Sequence, residues 1–188
     1  MGIGASLGGP VALRSVLSGL PKDLPVPVAV CQHMAPGFTE HFAEQLDKVT
    51  RLRVKEARHA EPALPGTVYL APAGLQMRVV KKDGKAHIRL DRDWADSLHV
   101  PSIDILFGSL ARDFGSCAMA VLLTGMGDDG AQGMYAVRRA GGHTVCESED
   151  TAVSFGMPGS AIGLRAAAVT LPVELIADHI AQRVASVR

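Results

Sequence analysis

Three short segments each set a reactive side chain in a turn directly after an apolar run: Gly4-Ala5-Ser6-Leu7-Gly8-Gly9, Cys31-Gln32-His33-Met34 and Thr124-Gly125-Met126-Gly127-Asp128-Asp129-Gly130. A serine hydroxyl attacks a carbonyl once a base removes its proton, and a neutral imidazole is suited to that task near neutral pH. A carboxylate can orient the imidazole and stabilise its charged form. If the apolar runs are parallel strands of one sheet, all three residues emerge at its carboxyl edge, where open α/β sheets build their sites. The chemistry this points to is acyl transfer by a serine hydrolase.

Each segment also has a plainer reading. The glycine-rich turn could cradle a phosphate at a helix start, but it lacks both the dinucleotide fingerprint and the Lys-Ser/Thr pair of a nucleotide loop. It could lift Ser6 into the open as a nucleophile elbow does, or Ser6 could simply cap the next helix. His33 follows the neighbouring run and has to come within roughly 3 Å of the serine to act as a base; otherwise a loop carbonyl satisfies it. His99, in Ser97-Leu98-His99-Val100-Pro101, is the alternative base. Asp128-Asp129 beside glycines could be an ordinary turn or could supply the orienting carboxylate. Gly125-Met126-Gly127 offers backbone N–H groups for a developing oxyanion, worth about 3 kcal/mol each in other hydrolases. His41, His59, His87, His143 and His179 fall on helix faces, in turns or beside charges and are read without a catalytic role. The order Ser…His…Asp differs from the Ser…Asp/Glu…His of ordinary α/β-hydrolases.

The elements that must position these residues follow from pattern. Pro10 suits a helix start, and Leu13, Val16, Leu17 and Leu20 recur at helical spacing until Pro21 and Pro25 end it. Residues 26–31 are short, apolar and valine-rich, as a buried parallel strand is. Thr39 is expected to cap a helix with Phe42, Leu46 and Val49 inward. Residues 53–92 read as a β-rich excursion, with short pieces at 68–70, 77–80 and 88–90 around the hairpin dipeptide Asp83-Gly84. Ser102 is expected to cap a helix carrying Ile103, Leu106, Phe107, Leu110 and Phe114. A central strand at 118–123, a helix over 131–140, a strand at 143–146, a brief helix before 166, a strand at 167–171 and a helix over 173–187 complete the chain. The alternation predicts an α/β class: a doubly wound, mainly parallel sheet with helices on both faces and a small β-hairpin excursion.

The 188 residues suit one domain, 47% hydrophobic and 20% charged. Nineteen basic and nineteen acidic residues cancel, so nucleic acid is not an expected partner, although Arg51, Arg53, Lys55 and Arg58 form a local basic cluster. No apolar stretch reaches the ~20 residues that cross a bilayer, and membrane insertion is not expected. Cys31, Cys117 and Cys146 lack metal-ligand spacing and are expected as buried free thiols of a cytoplasmic protein. The glycine-rich turn comes so soon after Met1 that the sequence is expected to begin inside a longer chain.

At these residues the chain resembles the catalytic domain of the chemotaxis receptor methylesterases, the CheB family. The shared pieces are Ile3-Gly4-Ala5-Ser6-x-Gly8-Gly9, Gln32-His33-Met34-x-Pro36-Gly37-Phe38-Thr39, Leu70-Ala71-Pro72, Pro101-Ser102-Ile103-Asp104-x-Leu106-Phe107, Leu123-Thr124-Gly125-Met126-Gly127-x-Asp129-Gly130-Ala131 and Phe155-Gly156-Met157-Pro158. The resemblance implies Ser6 as nucleophile, His33 as general base and Asp129 rather than Asp128 as the orienting acid. It implies Met126 as an oxyanion-hole N–H and His99 as a neighbour outside the triad. Its implied activity is hydrolysis of γ-glutamyl methyl esters on chemoreceptor cytoplasmic helices, releasing methanol, with deamidation of receptor glutamines in some members. Neither metal nor cofactor is implied. Residues 1–188 would be a single catalytic domain, without the upstream receiver domain that family members carry and that would be a partner in cis. Leu7 departs from the family's threonine after the nucleophile, which implies weaker turnover. The alternative is a non-catalytic or altered-substrate signalling domain of the same fold.

Overall fold

A computed structural model of the chain describes residues 1–92 and 98–186. Seven strands form one parallel sheet: β1 (Gly2–Ala5), β2 (Val28–Gln32), β3 (Arg53–Glu56), β4 (Thr67–Leu70), β7 (Met119–Leu122), β8 (His143–Glu147) and β9 (Val169–Leu171). The remaining two, β5 (Gln76–Lys82) and β6 (Lys85–Asp91), form a separate antiparallel hairpin. The sheet order is β3-β4-β2-β1-β7-β8-β9, so the winding reverses at β1, with β2 on one flank and β7 on the other. In open α/β sheets the carboxyl ends of the strands at such a reversal, here β1 and β7, are where sites are built.

Alternate residues of the central strands feed two cores. Ile3, Val28, Val30, Val121 and Val145 face α1 (Gly9–Gly19), α2 (Thr39–Asp47) and α6 (Val173–Ala185). Ala29, Cys31, Ala120, Leu122 and Cys146 face α3 (Ile103–Phe114), α4 (Ala131–Arg139), α5 (Gly156–Gly163) and the hairpin. β1 is glycine-rich on one side. A Cβ on Gly2 would lie 2.6 Å from Leu110 Cδ1, and one on Gly4 would lie 2.3 Å from Ile103 Cγ2. Glycine there lets α3 lie directly against the strand, which brings the start of α3 to the sheet edge.

The doubly wound parallel sheet, helices on both faces and hairpin match the expected class. The 53–92 region differs in part. β3 and β4 extend the main sheet, and only β5 and β6 stand apart. β3 is an edge strand with three charged residues, Arg53-Val54-Lys55-Glu56, and Val54 alone buried. Such an edge shows no apolar run. The Asp83-Gly84 turn is as expected, both residues having positive φ (49° and 75°), as a tight I′ hairpin turn requires.

Ser102 caps α3 by accepting from the Ile105 N–H at 3.4 Å. Thr39 is instead the first residue of α2, its hydroxyl donating to Glu56, and Val49 falls beyond that helix. Cys31 and Cys146 are buried, and burial pushes the Cys146 thiol up to about 12. Cys117 is a correction: it lies in a 3-10 turn ahead of β7 and is exposed. Residue 187 of the expected last helix and Ser97 lie outside the described residues. Among the described residues no helix is long and apolar enough to cross a membrane.

Candidate active site

Ser6 is the first residue past β1. Its N–H donates to Thr124 O at 3.0 Å and its carbonyl accepts from Gly9 N at 2.9 Å, which turns the chain sharply into α1. Gly8 makes that turn possible with φ 83°, and a Cβ there would also meet Val153 Cβ at 2.6 Å. His33 leaves the end of the adjacent β2, its N–H donating to Ala5 O at 3.1 Å. From that position Nδ1, the ring nitrogen nearer the backbone, lies 3.2 Å from Ser6 Oγ. The far nitrogen, Nε2, lies 2.8 Å from Asp129 Oδ2. An ionised carboxylate has no proton to give, so Nε2 carries the hydrogen and the Nδ1 lone pair faces the serine hydroxyl. Serine and aspartate thus use the opposite ring nitrogens from those used in the chymotrypsin-type triad.

Asp129 is buried against the start of α3. Its Oδ1 accepts from Ser102 Oγ and from Asp104 N, both at 2.9 Å, and its Oδ2 also accepts from Ile103 N at 2.8 Å. Burial alone would raise its pKa. The hydrogen bond from His33, those from the Asp104 and Ile103 N–H groups, and the attraction of His33 outweigh it and hold the carboxyl below its usual range. A helix N-terminus favours a negative charge for the same reason. Asp128, on the same loop, is exposed, and its carbonyl accepts from Ala131 N. Geometry therefore separates the two aspartates.

His99 stacks on His33, ring centroids 4.3 Å apart and planes at 15°. Ligand atoms of His33, His99 and Asp129 lie within 4.8 Å of one another. Stacked rings, however, send their in-plane lone pairs in parallel rather than to a common point, and His33 and Asp129 already occupy each other, so this cluster suits stacking better than tetrahedral coordination. Leu7 and Met126 flank the serine and are exposed at 51% and 68%. Among the described residues no acceptor takes the N–H of either, whereas Gly125 N is spent on Ser154 O at 3.0 Å. Beneath this loop lies buried Glu147, accepting from Thr124 N at 2.8 Å and Thr151 Oγ1 at 3.0 Å. Burial pushes its carboxyl up.

The structure brings together Ser6, His33 and Asp129, with His99, Leu7 and Met126 around them. Sequence reasoning gave Ser102 only a capping role, although its hydroxyl also reaches Asp129, and it gave Gln32 none. The signal for Ser102 was its position one residue ahead of a helix whose first N–H groups need an anion.

Fold and site together define a class: an α/β domain with a Ser–His–Asp hydrogen-bonded chain at the sheet edge where its winding reverses. The chain belongs to the CheB methylesterase family, whose model matches residues 1–180. It is 47% identical over 183 residues to protein-glutamate methylesterase/protein-glutamine glutaminase 2 of Pseudomonas aeruginosa, covering 97% of this chain and 52% of the relative. It is 43% identical over 184 residues to protein-glutamate methylesterase/protein-glutamine glutaminase 1 of Carboxydothermus hydrogenoformans, covering 97% and 54%. The chain spans about half the length of the curated relatives it matches. The crystal structure of the Thermotoga maritima CheB methylesterase catalytic domain superposes with a TM-score of 0.94 at 38% identity, covering 97% of this chain and 96% of that one.

Proposed function

We propose that residues 1–188 form a single catalytic domain that hydrolyses γ-glutamyl methyl esters on chemoreceptor cytoplasmic helices, and that it deamidates receptor glutamines by the same route. The observation that carries this reading is the unbroken chain from Ser6 Oγ through His33 to Asp129. The relatives' names, methylesterase and glutaminase, supply the substrate class.

Ser6 Oγ attacks the ester carbonyl while His33 Nδ1 takes its proton. The imidazolium so formed is held by Asp129, whose four hydrogen bonds keep it ionised and fixed. The oxyanion is received by the free N–H groups of Met126 and Leu7. The tetrahedral intermediate collapses, methanol leaves with the proton from His33, and water repeats the sequence to free the glutamate. With glutamine the leaving group is ammonia. Every proton is carried by His33, so the scheme calls on neither metal nor cofactor.

The receptor would dock on exposed apolar side chains of the segments that follow the strand ends, Leu7, Phe38, Met126 and Val153, and a receiver domain in cis would compete for the same side chains. A cytoplasmic location goes with that substrate. Asp129→Asn tests the assignment: it keeps the shape but loses the charge that fixes the imidazole tautomer, and the equivalent change elsewhere lowers turnover by about 10⁴. Methanol release from a methylated receptor fragment is expected to fall by that order with little change in KM. Retention of most of the wild-type rate would exclude Asp129 from the role.

A further inference from the structure

Gln32 ends β2 and is only 2% exposed, and the scheme above gives it no task. Its Nε2 donates to two carbonyls at once: Ser6 O at 2.9 Å and His33 O at 3.0 Å. One side-chain amide therefore joins the backbone of the serine residue to that of the histidine residue. It does so where the strand ladder runs out, since His33 N to Ala5 O is the last backbone link between the two strand ends.

The arrangement carries two costs. The Gln32 Oε1 is buried without a hydrogen-bond partner, and such an orphan destabilises a fold. Space must also be cleared for it: a Cβ on Gly9 would stand 2.0 Å from Oε1 and 2.9 Å from Cδ. Together with Ala5 Cβ, which would lie 2.9 Å from the same Cβ, this accounts for the second glycine of the Gly8-Gly9 pair, which shows no positive φ. An apolar side chain of the same length would remove that orphan, but it would leave the His33 carbonyl without the donor that Nε2 supplies. What only the amide provides is its pair of donated hydrogen bonds.

We infer that Gln32 is a positioning residue for the Ser6–His33 pair: its amide ties both backbones so that Oγ and Nδ1 stay within reach for proton transfer. The inference rests on the proposed role of Ser6 as nucleophile. A misplacement of about 1 Å in such a pair costs on the order of 10² in rate, and the resting separation of 3.2 Å leaves little slack.

The test is the rate at which an alkyl fluorophosphonate modifies Ser6, read as a maximal rate and a half-saturating concentration, with the melting temperature followed in parallel. This probe needs the activated serine but not the receptor. In Gln32→Leu the maximal rate is expected to fall at least about tenfold, with the half-saturating concentration unchanged. Gln32→Glu keeps the shape, and its carboxyl can donate only when protonated. The ratio of its maximal labelling rate to that of the wild type at the same pH is therefore expected to rise on acidification, titration of the rest of the site cancelling in that ratio. A Gln32→Leu chain that labels as fast as wild type would overturn the inference. So would a Gln32→Glu chain with the wild-type pH profile, which also decides the matter if the leucine variant does not fold. A wild-type chain that resists the probe would contradict the hydrolase reading itself, and the positioning role with it.

Discussion

Asp129 shows at the scale of one residue how a motif becomes a site. The Gly-Asp-Asp-Gly loop offers two carboxylates, and spacing alone does not separate them. What separates them is the start of α3, whose N–H groups and Ser102 hydroxyl converge on Asp129 while Asp128 faces solvent. That contact joins residues about 25 positions apart in sequence, so only the resemblance to the methylesterases selected Asp129 in advance. Ser6 and His33 were easier to read, because each sits at the end of its own apolar run. The environment of Asp129 has a consequence for stability. Its folded pKa lies below the ordinary 3.8, so the folded state binds fewer protons than the unfolded state between those two values. The stabilisation is present at neutral pH and is lost as pH falls through the folded pKa. Urea unfolding of the wild type is expected to weaken over that acid range, with Asp129→Asn showing a flatter profile. Leu7→Thr restores a hydroxyl beside the nucleophile and is expected to raise methanol turnover by up to about tenfold, the worth of one modest hydrogen bond in the transition state. An unchanged turnover would mean that the backbone N–H alone serves there.

At the scale of elements, the site depends on how close α3 comes to β1. Gly4→Ala would drive a methyl into Ile103, and overpacking of that kind costs about 1–3 kcal/mol. Because Ile103 also donates to Asp129, the same change is expected to lower turnover as well as the urea midpoint. Loss of stability with undiminished turnover would contradict the coupling. Far from the site, His143 at the start of β8 and His179 on α6 meet at 2.8 Å. Burial, His179 and Arg183 lower the His143 pKa below its usual 6.5. The folded state then binds fewer protons than the unfolded state in the range just under 6.5, so stability rises with pH through that range. A His143→Gln variant is expected to lose this slope in thermal unfolding followed from pH 5 to 8, the range over which histidine changes charge. The buried central strands were legible from their valine-rich runs. β3 was not, because Arg53, Lys55 and Glu56 hide a single buried valine, and neither was the membership of β4 in the main sheet, which depends on a partner far away in sequence.

For the whole molecule, the α/β alternation was enough to place three strand ends on one edge, and the strand order puts the reversal of winding at β1. Leu7, Phe38, Met126 and Val153 are exposed apolar residues in the segments that follow β1, β2, β7 and β8, which puts them along the carboxyl rim of the sheet. If that rim receives a protein substrate, Phe38→Ser is expected to raise KM for methylated receptor several-fold and leave hydrolysis of a small soluble ester unchanged. Equal effects on both substrates would place Phe38 in the chemistry instead of in docking. Hydrolysis of receptor methyl esters by Ser6, activated through His33 and Asp129, is what the proposed function asserts. It is tested most directly by methanol release from methylated chemoreceptor membranes, comparing this chain with its Ser6→Ala variant. The expected result is steady release by the wild type and none above background by the variant. Equal release by both, or none from a folded wild type, would contradict the claim.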